Sequence, residues 1–336
     1  MRIVVTGGAG YIGSHTARAL ARQGHHIVVY DNLSTGHRFL ADGFDFVLGD
    51  VGDRDKLKPV LGGMDAVLHF AAHAAAGESV VDPRKYFENN VMNGITLLNA
   101  VVEAKIPYFI HSSSCSVYGI PSRIPIPENV PRIPISPYGS SKLMFELMLE
   151  AYSRAYDLRY VNLRYFNAAG AEESGEIGEL HDPELHLIPR ALAAAAGKSD
   201  EFGIYGNEYP TPDGTCVRDY VHVSDLAEAH SLALNYLVDG RESVSLNVGT
   251  GNGYSVLEVL LMVEAVTGCP VPRRVLPPRP GDPPMLVADS QSAQRLLAWK
   301  PSRLLEGIVS SAWKWKQVAG SIVQPRLSGT ARERIS

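Results

Sequence analysis

The chain has 336 residues, long enough to bury a large core in one domain with a smaller lobe, or in two domains. With 45% hydrophobic and 20% charged residues and a net charge of -5, it lacks the basic excess that nucleic-acid binding needs. Cys115, Cys216 and Cys269 are far apart and form no CxxC pair, which fits neither a disulfide framework nor a zinc site and points to a reducing compartment. No apolar run reaches the length of a membrane span, and the N-terminal apolar run breaks too early for a signal-peptide core. A cytoplasmic protein with no membrane contact is expected.

In chain order, Arg2–Thr6, Ile27–Asp31, Phe44–Asp50, Ala66–Ala72, Tyr108–Ser114 and Arg159–Asn167 read as strands with helical stretches between them. That alternation predicts an α/β fold, a doubly wound parallel sheet covered by helices on both faces. After Asn167 the pattern changes. A Gly/Glu-rich connection over 168–181 leads to a helix over Leu187–Gly197 and a Tyr/Gly/Pro-rich stretch over 202–214. A helix over Ser224–Val238, a strand over Val244–Val248, a helix over Ser255–Thr267 and a proline-dense segment over 270–284 follow. These read as a smaller α/β lobe, which Trp299, Trp313 and Trp315 are expected to cover, while the polar tail from 317 to 336 reads as disordered.

Directly after the first strand, Thr6-Gly7-Gly8-Ala9-Gly10-Tyr11-Ile12-Gly13 places glycines at 7, 10 and 13 and opens a helix. Such a turn lets the backbone approach a pyrophosphate, and the helix N-terminus directs free N–H groups at it. Alone it is weak evidence, since a tight turn with no ligand uses the same glycines. The next apolar run ends in Asp31, close to the spacing of about 20 residues at which an acid binds a ribose 2′-hydroxyl. An acid there repels a 2′-phosphate, so NAD is favoured over NADP. Asp50, at the end of the third strand, is placed either to meet the adenine or to form a turn.

Ser136-Pro137-Tyr138-Gly139-Ser140-Ser141-Lys142 opens an amphipathic helix, and the i,i+4 spacing sets Tyr138 and Lys142 on one face. A tyrosine titrates near pH ~10, so it becomes a base near neutrality only beside positive charge, which Lys142 supplies. The pair alone is common on helix surfaces. It gains meaning from Ser112, Ser113 and Ser114 at the end of the fifth strand, where open α/β sheets hold their ligands. Ser112 and Ser113 read as a polar strand exit, whereas the Ser114 hydroxyl is set to bond a substrate oxygen. The histidines, among them His181, show no metal-ligand spacing, and no metal is expected.

TGGAGYIGSH (6–15), DNLSTG (31–36), HFAA (69–72), AGES (76–79), NNV (89–91), SSSCSVYG (112–119), SPYGSSK (136–142), LRYFNAAGA (163–171), DGTCVRDYVHV (213–223) and RPGD (279–282) stand in order along the chain. With them the chain resembles the extended short-chain dehydrogenase/reductases, and within these the UDP-glucose 4-epimerases, from Arg2 to about Trp315. The resemblance implies a Rossmann-type domain over 1–167, with parts of 217–250 returning to it, and a UDP-sugar-binding lobe over 168–216 and 251–316. It implies that NAD is held by Gly7, Gly10, Tyr11, Ile12, Gly13, Asp31, Asn32, Asp50, Val51, Phe70, Ala71, Ala72, Asn89, Ser112, Tyr138, Lys142, Tyr165 and Phe166. It implies catalysis by Ser114, Tyr138 and Lys142, and a UDP-sugar held by Ser114, Tyr138, Asn167, His186, Leu187, Tyr205, Arg218, Arg279, Asp282 and Leu286. A homodimer through the helices around Pro83–Ala104 and Tyr138–Tyr156 is implied as well.

The implied reaction is C4 epimerisation of a UDP-hexose, UDP-galactose to UDP-glucose and back, through a transient 4-keto sugar with Tyr138 as base. Arginines suit the diphosphate because their planar fork bonds it bidentately, although each read alone is equally an exposed ion pair. Three positions depart from the best-known bacterial pattern: Ala74 replaces a lysine near the cofactor, His186 an asparagine at the diphosphate, and Leu286 a tyrosine that limits the sugar pocket. UDP-N-acetylglucosamine, a UDP-pentose or UDP-glucuronate therefore remain alternative substrates. Cys115-Ser116 stand where a dTDP-glucose 4,6-dehydratase needs an acid pair, and a non-catalytic NAD sensor would not need Ser114, Tyr138 and Lys142 together.

Overall fold

Strands that must be apolar on both sides are those covered by helices on both sides, and the first half of the chain is built this way. In a computed structural model describing residues 1–199, 201–279 and 281–330, with side chains up to 320, the strands β1 (Arg2–Thr6), β2 (His26–Asp31), β3 (Asp45–Leu48), β4 (Ala66–His69), β5 (Tyr108–Ser114) and β6 (Arg159–Tyr165) lie parallel. β7 (Asn167–Ala169), β8 (Phe202–Tyr205) and β9 (Val217–His222) follow, then β10 (Val244–Val248), which joins the first six as a parallel edge strand. The large sheet has seven strands in the order β10-β6-β5-β4-β1-β2-β3, so the order reverses between β1 and β4.

Alternate residues of each strand supply the two cores. Ile3 and Val5 of β1 join Leu20 of α1 (Tyr11–Arg22), whereas Val4 joins Leu57 and Leu61 of α2 (Arg54–Leu61) on the other face. α3 (Ala76–Val81) and α4 (Pro83–Phe87) lead through a π-helical turn at Glu88–Met92 into α5 (Asn93–Glu103). α5 packs with α6 (Pro137–Ala155) on the Val4 side, through Leu97, Leu98, Phe145 and Leu149. After α7 (Leu187–Ala195), α8 (Val223–Val238) covers the Ile3 side through Leu226 and Leu234.

The smaller lobe is assembled from pieces too short to show a period in the sequence. β9 pairs with β7, with β11 (Gly253–Ser255) and with β13 (Met285–Leu286). β8 pairs with β12 (Arg273–Leu276), a strand inside the proline-dense segment. α7, α9 (Val256–Thr267) and α11 (Leu305–Thr330) close this core through Ile188, Leu260 and Ile308. α10 (Gln291–Leu297) precedes α11 and returns to the large sheet.

Four sequence expectations are corrected. The run Ala66–Ala72 is strand only to His69, because the backbone at Phe70–Ala71 turns to lie against Gly7. Asn167 does not end β6 but begins β7, leaving the large sheet for the lobe. The tail continues as helix from 317 to Thr330, held at its start by Val318 and Ala319 beside Trp315, while 331–336 lie outside the described residues. Of the three tryptophans Trp313 and Trp315 meet the lobe, Trp315 packing on Ile177 as well as on Phe39 and Leu40, whereas Trp299 is buried in the large-sheet core with α8. No helix among the described residues is long and apolar enough to cross a membrane.

Sheet and lobe are joined at Asp219 of β9, which is fully buried. Its carboxylate accepts the Thr250 N–H and hydroxyl at 2.8 and 2.6 Å, the Gly251 N–H at 2.9 Å and the Ala288 N–H at 3.1 Å. The loop after β10, the strand β9 and the segment after β13 thus meet on one side chain. Asp219→Ala strands these donors without water and is expected to cost about 3 kcal/mol. The urea midpoint checks this, and a loss within error of zero would show that the junction is held elsewhere.

Candidate active site

β1 passes into α1 through a turn whose first glycine tolerates no side chain. Gly7 has φ +73°, and a Cβ on it would lie 2.5 Å from the Ala71 nitrogen. A Cβ on Gly13 would lie 2.3 Å from the Gly7 carbonyl oxygen, which is why the helix can sit so close to the turn. Gly10 is the N-cap of α1, with no side-chain cap and no acid in the first turn, so the N–H groups of Tyr11, Ile12 and Gly13 face outward with the positive end of the helix.

Asp31 is buried at the end of β2. Its carboxylate accepts the Ala9 N–H at 2.9 Å and the Leu33 N–H at 2.8 Å; burial raises its pKa, and these bonds oppose the rise. Asp31 therefore fixes the glycine turn, and each oxygen keeps a lone pair for a hydroxyl. Asp50 Oδ2 accepts from Asn32 at 2.7 Å, and Oδ1 accepts from the Gly52 N–H at 2.8 Å and Asn93 at 3.0 Å. Asp50 is thus a turn former in this structure, holding Asn32 and the backbone beside Val51. Tyr11 is buried and donates to the Gly170 carbonyl at 2.6 Å, and Asn89 donates to Asn90 at 2.9 Å. Phe70 lies with its ring 4.7 Å from that of His230, Ala72 is half-buried beyond it, and Phe166 is buried in the small cluster with Cys115 and Val117.

The residues expected to react lie at the carboxyl end of β5. Ser114 caps the following 3₁₀ turn by accepting the Ser116 N–H at 3.1 Å, which fixes its hydroxyl. Ser136 caps α6 by accepting the Gly139 N–H at 3.1 Å, and Pro137 stands at the first helical position. A Cβ on Gly139 would lie 2.5 Å from the Ser116 carbonyl oxygen, so glycine brings the start of α6 against the Ser114 turn. The Ser114 hydroxyl, which donates to Ser116 Oγ at 3.1 Å, stands beside the Tyr138 phenol there. Burial pushes the Tyr138 phenol up to about 12, and the neighbouring Ser114 opposes that rise.

One turn on, Lys142 lies beneath the ring of Tyr138, Nζ 6.0 Å from its centroid, and donates to the Ser112 carbonyl at 2.6 Å. Burial pulls its pKa down to about 8, against the upward pull of Glu146. Tyr165 donates a short hydrogen bond to the Ser112 hydroxyl, so Ser112 is held on both its groups. Glu146 was not among the residues singled out from the sequence. It is fully buried, ion-paired with Arg164 at 2.6 Å and hydrogen-bonded by Ser113 at 2.6 Å. Its i,i+4 spacing from Lys142 is the signal it leaves in the sequence.

The expected substrate residues gather in the lobe as pairs. Arg218 forms a short ion pair with Asp282, and Leu286 stands beside Arg218 as its β13 partner. The Arg279 guanidinium sits 4.0 Å over the Tyr205 ring. Asn167 pairs with Tyr220 in the small sheet, and Leu187 opens α7. His186 is the N-cap residue of α7 but gives no side-chain cap; its Nδ1 lies 2.7 Å from Glu179 Oε1 and 3.0 Å from Glu184 Oε1. Burial opposes its protonation, yet these carboxylates push it up to about 10. Ala74 is exposed, so no cation replaces the expected lysine at that position.

Glycine turn, acidic strand end and Ser-Tyr-Lys set on one doubly wound sheet define a nucleotide-binding enzyme of the short-chain dehydrogenase/reductase class. The chain matches the NAD dependent epimerase/dehydratase family over residues 3–249. It is 47% identical over 318 residues to the UDP-glucose 4-epimerase of Halalkalibacterium halodurans, covering 94% of this chain and 95% of that one. The UDP-glucose 4-epimerase of Brucella ovis, solved in complex with NAD, superposes with a TM-score of 0.91 at 50% identity, over 93% of this chain and 97% of that one. The Stenotrophomonas maltophila enzyme, solved with NAD and formylated UDP-arabinopyranose, gives 0.92 at 41% identity, over 96% and 99%. The chain belongs to the NAD dependent epimerase/dehydratase family.

Lys142 makes one consequence measurable. Its folded pKa of about 8 lies below the ordinary value near 10.4, so between those values the unfolded chain binds more protons and stability rises with pH. Comparing urea midpoints from pH ~7 to pH ~10, the wild type is expected to gain stability relative to Lys142→Met. Parallel curves would show that Lys142 is not titrating as a buried amine.

Proposed function

We infer that the chain interconverts UDP-galactose and UDP-glucose by inverting C4 of the hexose. The observation that carries this reading is Tyr138 set between the Ser114 hydroxyl and Lys142 at the strand end beside the glycine turn. The turn fits NAD: Gly7 and Gly13 admit no side chain, and the outward N–H groups of α1 suit a pyrophosphate. Asp31 suits an unphosphorylated ribose. Tyr11, Ile12, Asn32, Val51, Phe70, Asn89 and Phe166 complete this NAD-binding set. When bound, NAD supplies the hydride acceptor and donor that lets C4 pass through a ketone.

The protein's own groups handle the proton and the orientation. Tyr138 Oη takes the proton from the sugar O4 and returns it after inversion, while Ser114 bonds the same oxygen. Burial holds Tyr138 as a phenol and Ser114 opposes it; in this reading the positive charge of Lys142, 6.0 Å from the ring centroid, further lowers the cost of the phenolate. The sugar must present both faces in turn, so its hold has to come from the diphosphate, through Arg218 and Arg279. Asp282 accepts from the uridine ribose. In this reading 1–167 with parts of 217–250 form the NAD domain, and 168–216 with 251–316 the sugar lobe.

We also propose a cytoplasmic homodimer. Ile95 of α5 and Met144 and Leu147 of α6 are 40%, 42% and 47% exposed on neighbouring helices, which suits a second copy of the same surface. Leu147→Glu is expected to yield a monomer in sedimentation velocity; an unchanged dimer would place the interface elsewhere.

Purified protein is expected to carry NAD and to convert UDP-galactose without added cofactor, with UDP-N-acetylgalactosamine, UDP-xylose and UDP-glucuronate run beside it to set substrate breadth. Tyr138→Phe is expected to lower kcat by about 10²- to 10⁴-fold and to leave bound NAD unchanged. A Tyr138→Phe enzyme of wild-type kcat would remove the tyrosine from the chemistry.

A further inference from the structure

Between β7 and α7 the chain reads Glu179-Leu180-His181-Asp182-Pro183-Glu184-Leu185-His186, a Glu-x-His-x-x-Glu-x-His spacing that the fold curls onto one point. One ligand atom from each of Glu179, His181, Glu184 and His186 lies within 4.8 Å of all the others. His186 Nδ1 is 2.7 Å from Glu179 and 3.0 Å from Glu184, and His181 Nδ1 is 3.2 and 3.7 Å from the same two carboxylates. Zinc takes nitrogen and oxygen ligands at about 2.0–2.1 Å in a tetrahedron, whose edges are then about 3.3–3.4 Å. The observed separations bracket that edge.

Two features distinguish this cluster from a solvated patch of charge. The Glu179 side chain is only 5% exposed, so its carboxylate is withdrawn from water. His181 Nδ1 is buried and makes no aligned hydrogen bond, although two carboxylates stand beside it. A buried ring nitrogen close to two carboxylates with no hydrogen bond to either is left with its ligating capacity unused. Two imidazoles and two carboxylates are the ligand types of borderline divalent metals.

We propose that Glu179, His181, Glu184 and His186 bind one divalent transition-metal ion, with zinc the natural occupant. The site shares His186 with the residues expected at the diphosphate, but it does not rest on the epimerase reading. Its segment is tied to both halves: Trp315 donates to the Glu179 carbonyl at 2.8 Å, the His37 ring lies 3.2 Å from the Leu180 carbonyl, and the His181 ring meets the edge of Tyr11 at 6.4 Å. A metal there locks the segment between Tyr11 and the first turn of α7. Ligation through Nδ1 also leaves His186 with its proton on Nε2, a neutral donor at the start of that helix.

The test uses the full chain with its nucleotide, dialysed against EDTA, loaded with zinc and passed through gel filtration before elemental analysis. One equivalent of zinc per chain is expected to stay bound, and cobalt in its place is expected to show the visible bands of a four-coordinate site. His181→Gln and, separately, Glu184→Gln are each expected to weaken zinc binding by about tenfold or more. Circular dichroism and bound-nucleotide content establish that each variant is folded. Two results overturn the proposal: zinc retained equally by the wild type and both folded variants, or no retention by the wild type. The latter would leave a cluster held by protonated imidazoles alone.

Discussion

The site depends on a lysine kept out of water. Lys142 has one oxygen partner, the Ser112 carbonyl at 2.6 Å, and otherwise lies under the Tyr138 ring. That position requires β5 and α6 to meet closely, so Ser112, Ser114, Gly139 and Ser136 are fixed by the same demand. A buried ammonium is costly, and burial accordingly pulls it down to about 8. Glu146 opposes that pull from one turn further along α6, and Arg164 balances Glu146 in turn at 2.6 Å. The charge beside Tyr138 thus rests on a buried ion pair between α6 and β6.

The two halves of the site are prepared differently. Around Gly7, sterics decide: a backbone packed against Ala71, with Asp31 spending two hydrogen bonds on holding the turn, leaves one conformation. In the lobe, electrostatics decide: Arg218 waits on Asp282 and Arg279 on the Tyr205 ring. An arginine already paired exchanges one partner for another when an anion arrives, which lowers its gain in affinity but spares it desolvation on arrival. A fixed cofactor half and an exchangeable substrate half suit the proposed reaction, in which the sugar is released from its contacts and turned.

The sheet, its helices and the glycine turn were legible because each leaves a period or a spacing over many residues. Tyr138 and Lys142 were legible as an i,i+4 pair, although Gly139 as the reason for their depth was not, since a close approach to Ser116 has no local signature. The lobe was largely illegible. β7, β8, β12 and β13 span two to four residues each and are stabilised by long-range pairing, as Leu286 with Arg218 or Leu276 with Tyr205. Trp299 shows the same limit: its place in the large-sheet core is set by a hydrogen bond from its indole N–H to the Asp225 carbonyl at 2.8 Å, 74 residues away.

The register of β13 on β9 carries the question of substrate breadth further than residue size does. Leu286 is the backbone partner of Arg218, and it packs on the cluster of Cys115, Val117 and Phe166 that lies behind Ser114. A side chain at 286 therefore touches two things at once, the strand that carries Arg218 and the buried cluster next to Ser114. In the proposed function, where residue 286 limits the sugar pocket, shortening it also loosens the packing on that cluster, so room for a bulkier sugar and firmness of the Ser114 turn are coupled. Leucine at this position keeps the cluster packed while leaving out the hydroxyl and ring of a tyrosine.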